Sequence, residues 1–172
     1  MKRIYLIIAS VLLSVAAFAQ QSIDTDFTQT KMIKLSGKTT PKAGHITFNG
    51  VDQLSMTYTI PEGDYFIIEG NMVKMNMDGK KAELDAEKVK KVKLQRATLL
   101  NCLSGNWEQA AIDNEAETTI TEKDGLKTII IQTNVPKSGY KLVELTYRLS
   151  DGTLTHMVLE ETIGVINTYE LK

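Results

Sequence analysis

Apolar and polar side chains alternate along much of this chain, most regularly over residues 53–60. Every second residue there is apolar and the residues between are polar, so an extended chain presents one apolar face. The segment 65–68 reads Tyr-Phe-Ile-Ile and is apolar at every position. It predicts a central strand that is buried on both faces.

Similar short runs recur along the chain, separated by turn residues at intervals of roughly ten residues. This spacing is typical of an antiparallel meander, sandwich or barrel, so we expect a mostly β protein. The predicted strands are 25–34, 43–49, 53–60, 64–69, 71–77, 79–84, 106–114, 116–122, 126–133, 140–149, 153–161 and 164–171.

The parity of side chains predicts the register of two hairpins. Asp151-Gly152 is a strong two-residue turn signal. The pairs expected from that turn are Leu149 with Leu154, Tyr147 with His156, and Leu145 with Val158. They place His156 on an apolar face, as a hydrogen-bonded core histidine.

Asn49-Gly50 carries the same turn signal, but a two-residue turn there would split the apolar faces of its strands. A longer connection over 49–53 keeps those faces together. It pairs Phe48 with Leu54 and Ile46 with Met56, so we expect a longer or bulged loop.

One helix is predicted over 95–104, where the leucines have helical spacing and Ser104-Gly105 provides a stop. Asp85 is a candidate cap for an earlier start. Four lysines crowd the stretch between Asp85 and residue 95. They form either a solvated face or a surface for anionic lipid headgroups. These lysines are Lys88, Lys90, Lys91 and Lys93.

The first residues have the features of a secretory signal peptide. A basic start precedes an apolar run at 4–15 and an A-x-A site that ends at Ala19. The apolar run is too short for a membrane-spanning helix. We therefore expect cleavage after Ala19, with 1–19 as signal peptide and 20–172 as a single exported domain.

The charge and cysteine content exclude several classes of function. The formal net charge is −1 and becomes about −3 once the two basic residues of the signal peptide are removed. This balance provides no attraction to nucleic acid. Cys102 is the only cysteine, so it forms no internal disulfide. Its leucine neighbours predict a buried, inert thiol.

The usual catalytic motifs are absent from the sequence, including G-x-S-x-G, H-E-x-x-H, C-x-x-C and a phosphate-binding glycine loop. The two histidines, His45 and His156, are too few for a typical catalytic zinc site, and His45 lies on the polar face of its strand. We therefore expect no catalytic residues, no metal, no cofactor and no enzymatic activity.

Several segments, in order, resemble the LolA-type carriers of outer-membrane lipoproteins. The chain departs from that pattern at Met56, where the family has an aromatic residue, and at Asn49-Gly50, where some members have an arginine. It also leaves little room for an N-terminal helix. The matching segments are Phe27-x-Gln29-x-Lys31, Gly44-x-Ile46-x-Phe48, Leu54-x-Met56-x-Tyr58-x-x-Pro61, Ile67-Ile68-x-Gly70-Asn71, Leu99-Leu100 through Trp107, Asp151-Gly152-Thr153, and Glu161-Thr162-x-Gly164-x-x-Asn167-Thr168-Tyr169.

This resemblance implies a strongly curved antiparallel sheet, an incomplete open β-barrel with a helical lid. It also implies a periplasmic carrier that shields the acyl chains of lipoproteins between the inner and outer membranes. The implied partners are acylated lipoproteins or lipid, an inner-membrane release complex and an outer-membrane acceptor. We expect the carrier to be a monomer.

The alternating apolar face and flexible methionines supply the candidate ligand-binding residues. The alternative is an ordinary core in which these side chains fill the interior. The cavity candidates are Ile46, Phe48, Leu54, Met56, Tyr58, Ile67, Met72 and Met75, with Met77 in addition; the lid candidates are Leu99, Leu100 and Leu103.

Three other functions stay open at this point. The same scaffold suits a carrier of another lipid, or a periplasmic module that senses lipid or envelope stress. A purely structural β-domain with a filled interior is the third alternative.

Overall fold

A computed structural model describes residues 22–135 and 138–172. The predicted signal peptide and its cleavage site lie outside the described residues. Eleven strands and two helices are present in the described part. The strands are β1 Ile23–Ile33, β2 Lys38–Phe48, β3 Gln53–Ile60, β4 Glu62–Glu69, β5 Met72–Met77, β6 Lys80–Asp85, β7 Glu117–Lys123, β8 Leu126–Gln132, β9 Tyr140–Arg148, β10 Leu154–Glu161 and β11 Val165–Leu171; the helices are α1 Lys90–Leu103 and α2 Trp107–Asp113.

All eleven strands belong to one antiparallel sheet, in the order β6-β5-β4-β3-β2-β1-β11-β10-β9-β8-β7. Strands that follow one another in the chain are neighbours in the sheet, except β6 and β7, and the pairing of β1 with β11 joins the two halves. The strands β6 and β7 form the two edges, so the sheet does not close. Both helices lie in the connection between these edge strands.

The sheet curls around its core. Val73 on β5 and Ile129 on β8 belong to one cluster of buried side chains, together with the leucines of α1. Eight strand positions separate β5 from β8, and a flat sheet would place them about 38 Å apart. The predicted fold class is therefore confirmed: a mostly β protein with a curved, incompletely closed antiparallel sheet and helices on its concave face.

The connection between β2 and β3 has the predicted register. Phe48 pairs with Leu54 and Ile46 with Met56. The side-chain oxygen of Asn49 accepts hydrogen bonds from the backbone N–H groups of Val51, Asp52 and Gln53 at 2.9–3.0 Å. These bonds organise the longer loop.

The predicted register of the β9–β10 hairpin is wrong. Leu154 pairs with Tyr147, and His156 pairs with Thr146 after a bulge. The Asp151 side chain accepts a hydrogen bond from the backbone N–H of Thr153 at 3.0 Å. Such local bonding favours a wider turn over a two-residue turn.

His156 consequently lies on the outer face of the sheet and not in the core. Its Nδ1 lies 2.7 Å from Oε1 of Glu170. His45, predicted on a polar face, is also on the outer face, between the carboxylates of Asp24 and Asp26.

The segment 106–114, predicted as a strand, is the helix α2. Trp107, Ala110 and Ala111 are its buried residues, and their i, i+3, i+4 spacing is helical. The helix α1 begins at Lys90, five residues before the predicted start. Asp85 caps a short 3-10 turn, Ala86–Lys88, that precedes it.

The strand β4 is interior to the sheet but is not buried on both faces. Ile68 is fully buried on the concave face, whereas Tyr65 and Ile67 are half-buried on the outer face. Among the described residues no second layer covers that side, which explains the difference.

Gly44 lets β2 and β3 pack closely beneath the first strand. A Cβ atom at this position would lie 2.2 Å from the carbonyl oxygen of Thr57 and 2.9 Å from the ring of Phe27. No side chain fits there without moving a strand, because backbone atoms cannot yield as a flexible side chain does.

Candidate functional site

A cavity of about 290 Å³ lies between α1 and the concave face of the sheet. The strands β1, β3, β4, β5, β9, β10 and β11 form its floor, and α1 contributes Gln95 and Leu99. Its lining residues are Gln29, Lys31, Met56, Tyr58, Phe66, Met75, Met77, Gln95, Leu99, Tyr140, Met157, Leu159, Glu161, Ile163, Val165, Asn167 and Tyr169.

The cavity occupies only one end of the concave face. We call this the open end, defined by the lining residues above. The opposite end is packed with side chains of the sheet and of α1, and we call it the filled end, although a second, more open pocket of about 580 Å³ borders Phe48, Leu54 and Ile68 there. The residues of the filled end are Ile46, Phe48, Leu54, Ile68, Val73, Leu100, Leu103, Ile129, Leu145, Tyr147 and Leu154.

Methionines dominate the apolar wall of the open end. Four of the seven methionines in the chain line the cavity: Met56, Met75, Met77 and Met157. Methionine is unbranched and adapts its shape to what it contacts. Phe66, Leu99, Leu159, Ile163 and Val165 also contribute to the apolar surface, which suits a flexible hydrocarbon chain.

The structure brings four of the predicted candidates together at the cavity. Met56 and Tyr58 on β3 face it from one side, Met75 lies on β5, and Leu99 projects from α1. Met77, named in addition to them, also lines it.

The remaining candidates lie elsewhere. Ile46, Phe48 and Leu54 are buried at the filled end, and so are the helix residues Leu100 and Leu103. Ile67 and Met72 do not face the concave side. They alternate with the buried Ile68 and Val73, which places them on the outer face of the sheet.

Several lining residues were not among the candidates. They include Met157 and Leu159 on β10 and Tyr169 on β11. These are the last two strands of the chain, and no cavity residue was predicted in them. Gln29 shares its parity with the buried Phe27. That parity is a sequence signal that places Gln29 on the concave face.

A row of hydrogen-bonded polar side chains crosses the cavity on β1, β11 and β10. Nε2 of Gln29 donates to Oδ1 of Asn167 at 2.8 Å. Nδ2 of Asn167 donates to Oε1 of Glu161 at 3.0 Å. We call these three residues the polar row.

A buried ion-pair network lies beside the polar row. The Lys42 ammonium, whose side chain is 1% exposed, contacts Asp64 at 2.8 Å and Asp78 at 3.0 Å. Lys31 contacts the other oxygen of Asp78 at 3.2 Å. Burial alone would lower the pKa of Lys42, but its bonds to both aspartates outweigh that effect and raise it. The bonds to Lys42 and Lys31 lower the pKa of Asp78.

Tyrosines separate the ion-pair network from the apolar wall. The ring of Tyr58 lies edge-on to Phe27, with 5.3 Å between ring centroids, and Tyr169 contacts the same ring at 5.9 Å. Burial raises the pKa of Tyr58 to about 12 and that of Tyr169 well above its ordinary value. Both phenols therefore stay neutral and act as hydrogen-bonding groups.

Several hydrogen bonds attach α1 to the sheet, among them one between Gln95 and Tyr140 at the cavity. Nε of Arg96 donates to the Gly70 carbonyl at 2.6 Å, at the β4–β5 turn. The Tyr147 hydroxyl donates to the Cys102 carbonyl at 3.0 Å. Cys102 is fully buried, as predicted, and burial raises the pKa of its thiol to about 12.

Within residues 22–135 and 138–172, no three His, Cys, Asp or Glu side chains are grouped so as to hold a metal ion. Neither of the two helices in these ranges is long and apolar enough to cross a membrane. The arrangement at the open end favours non-covalent binding: an apolar cavity bordered by neutral amides and paired charges.

No protein-family model matches the sequence, and no curated protein matches it. Among solved structures, a LolA superfamily protein from Nitrosomonas europaea is 10% identical, with 89% of this chain and 84% of that chain covered and a TM-score of 0.40. A domain described as a putative outer membrane lipoprotein-sorting protein from Vibrio parahaemolyticus is 8% identical, with 91% and 86% covered and a TM-score of 0.40. The lipoprotein LppX from Mycobacterium tuberculosis is 12% identical, with 87% and 85% covered and a TM-score of 0.32.

Proposed function

We propose that this protein is a periplasmic carrier that binds an acyl chain of a lipoprotein in the cavity and moves it from the inner to the outer membrane. The observation that carries this proposal is the methionine-lined cavity beneath α1. The expected signal peptide supplies the route to the periplasm.

The energetics of acyl-chain burial are favourable. Each methylene removed from water contributes about 0.8 kcal/mol, so a 16-carbon chain is worth on the order of 10 kcal/mol. Such a ligand needs no strong polar contact to bind. The methionines adapt to the chain as it enters and leaves.

The size of the cavity favours one chain at a time. Its volume of about 290 Å³ lies near the lower limit of the range of roughly 300–1,000 Å³ typical of small-molecule sites. A cargo with several chains would require the open end to widen. A carrier of a single-chain lipid is therefore the second candidate function.

The carrier must also release its cargo. Because α1 is attached at the β4–β5 turn and at the filled end, we propose that the chain enters and leaves at the open end, where exposed Ile163 borders the cavity. An acceptor that buries the acyl chain more completely then takes it.

The first experiment identifies the ligand. The protein is isolated from its own envelope without detergent and examined by native mass spectrometry, followed by lipid extraction. We expect a co-purifying acylated protein or a single-chain lipid, and the identity of the adduct separates the two candidate functions. A protein free of both would contradict the carrier proposal.

A matched pair of variants tests the site. Met75→Arg places a charge in the cavity, whereas Met72→Arg places the same charge on the outer face of the same strand, and both residues are half-buried. We expect Met75→Arg to lose binding of a fluorescent apolar dye and Met72→Arg to retain it. Equal dye binding by the two folded variants would contradict the assignment of the cavity.

A further inference from the structure

The polar row of the cavity has a defined direction of hydrogen bonding. A carboxylate accepts but does not donate, so Glu161 requires Asn167 to turn its Nδ2 toward it. Oδ1 of Asn167 then faces Gln29, and Gln29 must present its Nε2 as the donor. The carboxylate at one end of the row thus fixes the orientation of both amides.

This orientation leaves a hydrogen-bond acceptor without a partner. Oε1 of Gln29 has none in the described part of the chain, although the residue is only 3% exposed. A buried, unpaired amide oxygen is unfavourable, and native proteins rarely retain one without a reason. Gln29 lines the cavity, so a ligand there is a candidate partner.

The charges beside the polar row disfavour an anionic ligand. Lys31 is paired with Asp78, and Lys42 is paired with both Asp64 and Asp78. With Glu161 included, these side chains carry two positive and three negative charges. A carboxylate head would therefore meet ammonium groups that are already neutralised, next to an excess of negative charge.

We propose that the ligand of this cavity is an acyl compound whose neutral polar head donates an N–H or O–H hydrogen bond to Oε1 of Gln29. Its hydrocarbon chain lies along the methionines of the open end. The amide N–H of an N-acylated peptide terminus and a hydroxyl of a monoacylglycerol both have this chemistry, whereas a fatty-acid anion does not. This inference rests on the proposed function, because it requires that the cavity bind an acyl chain.

The test compares ligands that share one dodecanoyl chain and differ in the head. N-methyldodecanamide carries an N–H donor, monolauroylglycerol carries hydroxyl donors, and N,N-dimethyldodecanamide carries no donor. Laurate supplies the anion at about pH 8. Each ligand displaces the dye N-phenyl-1-naphthylamine from the wild-type protein, and its dissociation constant is obtained from the displacement curve.

We expect at least one of the two donor ligands to bind about fivefold more tightly than the dimethylamide and laurate, the effect of one hydrogen bond. A preference for the amide alone indicates an N-acylated terminus, and a preference for the glycerol ester alone indicates a monoacylglycerol. Equal affinity of the dimethylamide and both donor ligands, or tightest binding by laurate, would overturn the inference.

A pair of variants locates the effect. Gln29→Met removes the acceptor and should abolish the preference for a donor. Gln132→Met makes the same change at an exposed position on β8 and should leave the preference intact. If the wild-type protein binds neither the dye nor any of the four ligands, the proposed function itself fails. If all four bind equally, only the inference about the head fails.

Discussion

The two ends of the concave face use the same strands but different side chains. On β3, Leu54 belongs to the filled end, while Tyr58, four residues later, lines the cavity. On β5, Val73 is buried and Met77 borders the cavity. The filled end is built of leucine, isoleucine, valine and aromatic residues. The open end combines methionines with amides and paired charges.

Along each strand, therefore, the filled end contributes to the stability of the fold and the open end contributes to ligand binding. Branched side chains with few rotamers pack to high density under α1, and such packing stabilises the fold. Methionines are flexible and lose little packing energy when a neighbour moves, so they suit a surface that must exchange a ligand. The following changes test whether the two ends are separable, beginning with the largest expected effect.

Removing one partner of the buried ion-pair network beside the polar row should have the largest effect on stability. Lys42→Met leaves the buried carboxylate of Asp64 without its cation, because Asp78 retains Lys31 but Asp64 has no second lysine among its described ion pairs. We expect a loss of about 3–5 kcal/mol in the free energy of unfolding, measured by urea denaturation.

The double variant Lys42→Met/Asp64→Leu provides the control, since it removes both charges and fills the space with apolar groups. It should recover most of the lost stability. Equal stability of the single and double variants would show that the unpaired Asp64 carboxylate is not the cause of the loss.

At the filled end, stability depends on packing. Leu103 is 1% exposed, and Leu103→Ala should lower the free energy of unfolding by about 3 kcal/mol. Met75→Ala at the open end removes a half-buried side chain beside an existing cavity, so we expect a loss of only about 1 kcal/mol. Both values come from urea denaturation.

Dye binding completes this comparison. Leu103→Ala should bind the dye as the wild-type protein does, because its cavity lining is intact, whereas Met75→Ala should bind it more weakly. A reversed order, with binding lost at the filled end, would contradict the separation of the two ends.

The sequence predicted the strands well because the alternation of apolar residues is a local signal. The β2–β3 register followed from parity alone. The β9–β10 register did not, since Asp151 bonds to its own turn and widens it. That single change of loop length moved His156 from the predicted core to the outer face.

The site was less predictable because a cavity depends on what covers the sheet. Parity identifies the concave face, but it cannot tell which end of a strand lies under a helix. The segment of α2 was predicted as a strand, so the burial of Trp107, Ala110 and Ala111 in the core cluster was not foreseen. Met72 and Met75 were both proposed for the cavity, although residues an odd number of positions apart lie on opposite faces of a strand.

Ion pairs on the outer face should have the smallest effect on the free energy of unfolding. This face therefore serves as the reference for both ends of the concave face. His45 lies between Asp26, at 2.8 Å from Nδ1, and Asp24, at 2.7 Å from Nε2. The hydrogen bond to Asp26, then that to Asp24, raises the pKa of His45 above its ordinary value of 6.5. The hydrogen bond to His45, with a smaller contribution from Lys172, lowers the pKa of Asp26 below 3.8.

The sign of the pH dependence follows from these two shifts. A raised histidine pKa stabilises the folded state fully below pH 6.5, and this contribution is lost as pH rises through the raised pKa. The contribution of Asp26 is present above pH 3.8 and is lost as pH falls through its lowered pKa. The wild-type protein should therefore exceed His45→Gln in stability between these limits, and the difference should vanish at higher pH.

Urea denaturation of both proteins at about pH 5.5 and about pH 8.5 measures this difference across the titration of His45. Dye binding should be the same in the two proteins, because His45 is on the outer face. A difference that grows toward high pH would mean that His45 is held neutral, which contradicts its position between two carboxylates.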